Sequence, residues 1–180
     1  MISTPIALGI AVFLSELSPR FLRTPLTFLT ELLAAVPSIV YGLWGVFVLV
    51  PVIRKLELML PESLKSFPLF SGPPLGVGMG AAAIILAIMV IPFSSAVARE
   101  ILKGVPLNQR EAAYALGATR WEAIRVALNY GRTGIIGAVM LGLGRALGET
   151  IAVTMVIGNN PQVSVSLLKP QYTMAAVIAN

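Results

Sequence analysis

From Leu75 to Ala98 the chain runs without a charged side chain, and so does the stretch from Leu32 to Ile53. A hydrocarbon core about 30 Å thick is crossed by roughly 20 apolar residues when they form a helix, which satisfies its own backbone hydrogen bonds. A third stretch, Thr133 to about Gly158, is interrupted only by Arg145 and Glu149. Met1 to about Leu17 is uncharged as far as Ser15 and lacks a basic leader, so it reads as the second half of a further span. The expectation is an all-α, polytopic transmembrane helical bundle.

Composition agrees with this and excludes much else. Of 180 residues 57% are hydrophobic and 12% charged, against about 25% charged in soluble domains. There is no His, no Cys and no Asp. A Cys/His zinc site, a disulfide framework, a thiol nucleophile and a Ser-His-Asp triad are therefore excluded, and neither a catalytic residue nor a metal site is expected. No phosphate-binding loop of the G-x-x-x-x-G-K-[ST] type is present, so nucleotide hydrolysis and its cofactors are not expected on this chain.

The net charge of +5 is unevenly spread. Arg20, Arg23 and six basic residues from Arg99 to Arg132 lie on one side of the expected spans, eight in all, against Arg54, Lys55, Lys65 and Lys169 on the other. Lys and Arg accumulate in cytoplasmic loops, which makes 99–132 cytoplasmic. On the opposite side Leu56, Leu58, Met59, Leu60 and Leu64 alternate with charges, the pattern of a short interfacial helix or a solvated loop. Thr173 to Ala179 turns apolar again where the sequence stops, and both ends read as cut inside a larger membrane protein.

Within the cytoplasmic segment, Asn108 precedes Glu111 by three residues and Thr119 precedes Glu122 by three, the spacing of two capping boxes and hence of two helix starts. Ala112, Ala113 and Ala115 favour helix, and Gly117 supplies a left-handed turn between the two. The slim face at Ala112 and Ala113 suits close approach of a protein partner. A helix-turn-helix reading would use Arg120 and Arg125, but the segment is tethered at both ends and lacks a third helix, so no nucleic-acid partner is expected. A loop resting on anionic membrane lipid is the plainer alternative.

Arg145 and Glu149 are four apart and on one helix would share a face. Each costs roughly 2.5–3.5 kcal/mol at a helix centre on insertion scales. Either they form an internal salt bridge between helices, or they face a polar route and meet an anion there. Gly144 and Gly148 form a small-x-x-x-small packing surface, which Ala138 and Gly142 are expected to extend. Pro92 and Pro37 are expected kinks, with Ser94 and Ser95 available to satisfy freed carbonyls. Tyr41, Trp44, Met79 and Met89 read as helix packing.

Glu111-Ala-Ala-Tyr-Ala-Leu-Gly117 resembles the EAA loop of ATP-binding-cassette importer permeases. Glu31-Leu-Leu-Ala-Ala-Val-Pro-Ser-Ile-Val-Tyr-Gly-Leu-Trp-Gly45 and Gly142-Leu-Gly-Arg-Ala-Leu-Gly-Glu-Thr-Ile-Ala-Val153 are similar to phosphate-specific permeases of the PstC type, and the resemblance covers nearly the whole chain. It implies a type I importer permease of MetI-like architecture: residues 1–180 a partial permease domain, 99–132 its coupling loop. It also implies a multi-pass place in the bacterial inner membrane and a function as the permease subunit of an ATP-driven phosphate importer. The implied partners are two copies of an ATPase subunit that carries ATP and Mg, a second permease subunit, a periplasmic phosphate-binding protein, and phosphate. Glu111 would anchor the elbow in the ATPase, with Ala112, Ala113 and Gly117 shaping it, and Arg145 and Glu149 would line the route. An importer of sulfate, molybdate or tungstate, or a non-transporting truncated fragment, are the alternative readings. One departure is plain: the family's Ile-x-Leu-Pro is replaced by Ala127-Leu-Asn-Tyr130, leaving Asn129 and Gly131 to end the second elbow helix.

Overall fold

A computed structural model describes residues 2–61, 67–162 and 164–179. Nine helices are used below: α1 (Ser3–Leu17), α2 (Arg20–Ala35), α3 (Ser38–Met59), α4 (Met79–Lys103), α5 (Leu107–Ala115), α6 (Arg120–Tyr130), α7 (Arg132–Leu147), α8 (Ile151–Ile157) and α9 (Met174–Ala179). Among the described residues there is no strand, only an isolated bridge between Gly158 and Gln171. By length and composition α3 and α4 are each able to cross a membrane. The chain packs as two compact units, one formed by residues up to Ala35 with Val90–Arg145, the other by Val36–Met89 with residues from Ala146 onward.

In the first unit, Ala11 and Val12 of α1, Ala98 and Leu102 of α4, Ile124 of α6 and Ala138 of α7 make one buried cluster. Three of the six are alanines, whose small side chains let helix backbones approach closely where hydrocarbon supplies no hydrophobic drive. α1 widens to a π-turn over Phe13–Leu17 and stops at Ser18, held extended by the ring of Pro19. α2 has no fully buried residue, and its polar side chains Arg20, Arg23, Thr24, Thr27, Thr30 and Glu31 recur at helical spacing along one stripe. Thr27 and Glu31 on that stripe meet the buried Arg99, while Phe21, Phe28, Leu29 and Leu32 are exposed.

In the second unit, Ala81, Ala82 and Ile85 of α4 pack with Ala152, Val153, Val156 and Ile157 of α8, and Tyr41, Val46 and Ile53 of α3 close over them. Gly45 permits this: a Cβ there would lie 2.7 Å from Ile85 Cδ1 and 2.9 Å from Val156 Cγ1. Beyond α8 the chain turns at Gly158 (φ 89°) and folds back, with the Gln171 amide donating to the carbonyls of Ser164 and Ser166.

Several sequence expectations are displaced. The stretch Leu32–Ile53 is not one helix: α2 ends at Ala35 and α3 begins at Ser38. Pro37 (φ −58°, ψ 140°) lacks an N–H and drives Val36 out of the helical region, so the kink is a break. Arg20 and Arg23 sit on α2 and not in a loop, and Leu56, Leu58 and Met59 finish α3. Leu64 and Lys65 lie outside the described residues. The span expected from Leu75 begins at Met79, after Pro73, Pro74 and Gly76 (φ 74°), and continues past Ala98 through Arg99 to Lys103. α4 is continuous through Pro92, and Ser95 Oγ donates to the Pro92 carbonyl at 3.0 Å, not to the carbonyl of Ile88 that the proline frees. Met89 is buried as expected, whereas Met79 and Trp44 are exposed.

Candidate functional site

The elbow is built by α5, a tight turn and α6. Asn108 does not cap α5: the helix starts two residues earlier than that cap would set it, behind Pro106 (φ −56°, ψ 139°), and places Asn108 inside its first turn. Proline's preset φ and missing N–H suit the edge of a helix, and here that geometry prevails over the Asn108–Glu111 spacing. α5 ends as expected at Gly117 (φ 83°). Ala118 N–H donates to the Ala113 carbonyl and Gly117 N–H to the Tyr114 carbonyl, the paired bonds of a Schellman motif.

The capping box of α6 forms as the spacing predicts: Glu122 N–H donates to Thr119 Oγ1, and Thr119 N–H donates to Glu122 Oε2 at 2.7 Å. The bonds from the Thr119 backbone and then its hydroxyl hold the Glu122 carboxyl below its ordinary pKa. α6 ends at Gly131, whose N–H donates to the Ala127 carbonyl, and α7 leaves at a bend of 68°. Gly131 thus ends the helix without the family's proline.

The elbow surface is mixed. Glu111 and Ala112 are exposed, while Ala113 is buried. Leu107, Tyr114, Leu116 and Trp121 are exposed apolar side chains around the turn, Leu116 at 90%. Tyr114, Leu116 and Trp121 carry no polar signature and were not singled out by the capping pattern.

Beneath the turn lies a linkage with no local sequence signal. Arg110 Nη2 donates to Glu16 Oε1 at 2.6 Å and to the Leu102 carbonyl at 2.9 Å, and Arg110 Nη1 donates to the Val105 carbonyl at 3.0 Å. Arg120 Nη2 donates to the backbone carbonyl of the same Glu16 at 2.5 Å. Glu16 and Arg110 are 94 positions apart in sequence.

Arg145 lies in the last turn of α7, half-buried, with Cζ 5.1 Å from the centroid of the Phe93 ring. Its Nε is buried and has no hydrogen-bond partner among the described residues. Glu149 does not share a face with it, because α7 stops at Leu147 and Gly148, Glu149 and Thr150 are not helical. The Glu149 carboxylate instead accepts from Ala152 N–H at 3.2 Å, satisfying a free donor in the first turn of α8.

The glycine surface is also displaced. Gly144 and Gly148 are exposed, and a Cβ on Gly144 would meet nothing within 4 Å. Ala138 and Gly142 are buried, and a Cβ on Gly142 would strike Ser94 Oγ. Gly142 and Gly144 lie on different stripes of α7, since a step of two residues turns a helix by about 200°, and Gly148 lies past its end.

Comparison with known proteins agrees with the chain's helical, apolar character. The family model described as "Binding-protein-dependent transport system inner membrane component", a MetI-like transmembrane fold, matches residues 4–178. The phosphate transport system permease protein PstC of Xylella fastidiosa (strain Temecula1) is 52% identical over 186 residues, covering 100% of this chain and 57% of that protein. The protein of the same name from Haemophilus influenzae is 48% identical, covering 99% of this chain and 59% of that protein. A probable PstC of Methanocaldococcus jannaschii is 41% identical, covering 100% of this chain and 58% of that protein. The chain therefore spans less than two thirds of the length of these curated relatives. No solved structure matches it. With a family match running almost from end to end over helices of this apolar kind, the chain belongs to the binding-protein-dependent transport system inner membrane components.

Proposed function

We propose that this chain is the permease part of an ATP-driven phosphate importer, a multi-pass component of the inner membrane. The observation that carries the reading is its identity of about half with proteins named phosphate transport permeases, over its whole length. It works with a second permease subunit, two copies of an ATPase that holds ATP and Mg, and a periplasmic phosphate-binding protein. ATP hydrolysis belongs to the ATPase, and this chain's own part is conformational.

Residues 99–132 form the coupling segment of the partial permease domain 1–180. Glu111 anchors the elbow in a groove of the ATPase, Ala112 and Ala113 keep its approach slim, and Gly117 allows the turn. The exposed Leu116 and Trp121 support this reading, since they would lose their contact with water on docking. Arg145 and Glu149 serve the anion route. Arg145 suits it because a guanidinium over a ring face, with one N–H unpaired, is an incompletely compensated cation in an apolar setting. Gly144 and Gly148 offer small surfaces for helix contact within the assembled permease.

The test is ATP-driven uptake of labelled phosphate into vesicles carrying the chain, in its full-length frame, with ATPase, sister permease and binding protein. Uptake that excess sulfate and molybdate do not reduce establishes the phosphate assignment. Loss of uptake to either competitor assigns the permease to that oxyanion instead.

A further inference from the structure

We propose that Glu16 is a positioning residue that carries displacement of the elbow into α1, through its ion pair with Arg110. The inference rests on the reading of the elbow as the ATPase contact. Arg110 is on α5, beside Glu111, and its guanidinium makes three bonds that leave α5: to Glu16 at the end of α1, and to the carbonyls of Leu102 in α4 and Val105 just beyond it. A cation on carbonyls at a helix C-terminus is favourable in itself, and here it shares the Leu102 carbonyl with Val105 N–H. One planar group therefore ties the moving helix to the ends of two others.

The Glu16–Arg110 pair is nearly enclosed, with side chains 14% and 16% exposed. Water screens it little, and sliding α5 against α1 would leave both charges unpaired at a substantial cost. Arg120, from α6, holds the Glu16 backbone as well, so both halves of the elbow converge on one residue. A push on α5 thus reaches α1 as a rigid displacement.

The chain has no cysteine, so spin labels at Leu17→Cys and Asn108→Cys report the α1–α5 distance in the assembled transporter. With Glu16 intact, the distance distribution is narrow and does not change when an ATP analogue closes the ATPase. In Glu16→Gln the distribution shifts or broadens with nucleotide. ATPase binding stays unchanged, and substrate moved per ATP hydrolysed falls about tenfold, the loss of one charge-assisted hydrogen bond. Glu16→Asp keeps the charge and recovers most of the coupling. An unchanged distance distribution with unchanged coupling in Glu16→Gln overturns the proposal, as does loss of ATPase binding in both variants. If the wild-type complex moves no phosphate, the phosphate reading fails, while the distance measurement still decides the linkage.

Discussion

Arg99 and Glu31 meet at 2.5 Å across 68 positions of sequence, the guanidinium 2% exposed and the carboxylate 51%. The buried cation also contacts Glu100 and the hydroxyl of Thr27. This node is where two residues of the polar stripe on α2, Thr27 and Glu31, meet α4. Glu31→Gln alone should cost only about 1 kcal/mol, because Glu31 is solvated and Glu100 still pairs with Arg99. Removing both carboxylates leaves the buried Arg99 with no counter-charge and only the Thr27 hydroxyl, and should cost about 3 kcal/mol or more. Thermal unfolding of the purified complex in detergent measures the difference.

Gly142 and Gly144 are expected to respond in opposite ways. Gly142→Ala drives a methyl against Ser94 Oγ and should destabilise by about 1–3 kcal/mol. Gly144→Ala meets nothing within this chain and should leave the chain's own unfolding midpoint unchanged or slightly raised. Ser94→Ala should recover most of the Gly142→Ala loss, a non-additivity that a double-mutant cycle on unfolding midpoints reads directly.

The start of α6 should depend on pH. The folded-state pKa of Glu122 is lowered by its bonds from Thr119, so this contribution is fully present above the ordinary carboxylate pKa and is lost as pH falls through the lowered value. Amide hydrogen exchange at the first turn of α6 should therefore reveal extra opening only in acid, once the intrinsic change of exchange with pH is removed. Thr119→Ala should open the same turn at neutral pH, by about 1 kcal/mol.

Docking and transport should separate by residue. Glu111→Ala is expected to weaken ATPase binding about tenfold, the order of one charged contact at an interface. Arg145→Ala should leave binding intact and abolish uptake. Co-purification of the ATPase and vesicle uptake check the two effects, and normal uptake by the Arg145 variant removes that residue from the route.

Apolar length, glycine and proline were legible in the sequence because they act locally. The uncharged runs announced α3 and α4, Gly117 announced the elbow turn, and Thr119 with Glu122 announced the start of α6. Each depends on a handful of consecutive residues whose backbone preferences or hydrogen bonds need no distant partner. Where two local signals competed, as at Pro106 and Asn108, the stiffer one set the boundary. The same reasoning overran at Pro37 and Gly148, since an apolar run reports what a segment tolerates and not whether its hydrogen-bond ladder is continuous.

The long-range charge pairing was decided only by the tertiary structure. Nothing near Glu16 in sequence points to Arg110, and nothing near Arg99 points to Glu31. The spacing of Arg145 and Glu149 suggested a shared helical face, and the end of α7 at Leu147 removed it. A charge in an apolar environment must find a partner, and the sequence says that much by itself; which partner it finds is settled by packed helices that bring residues dozens of positions apart within hydrogen-bonding distance.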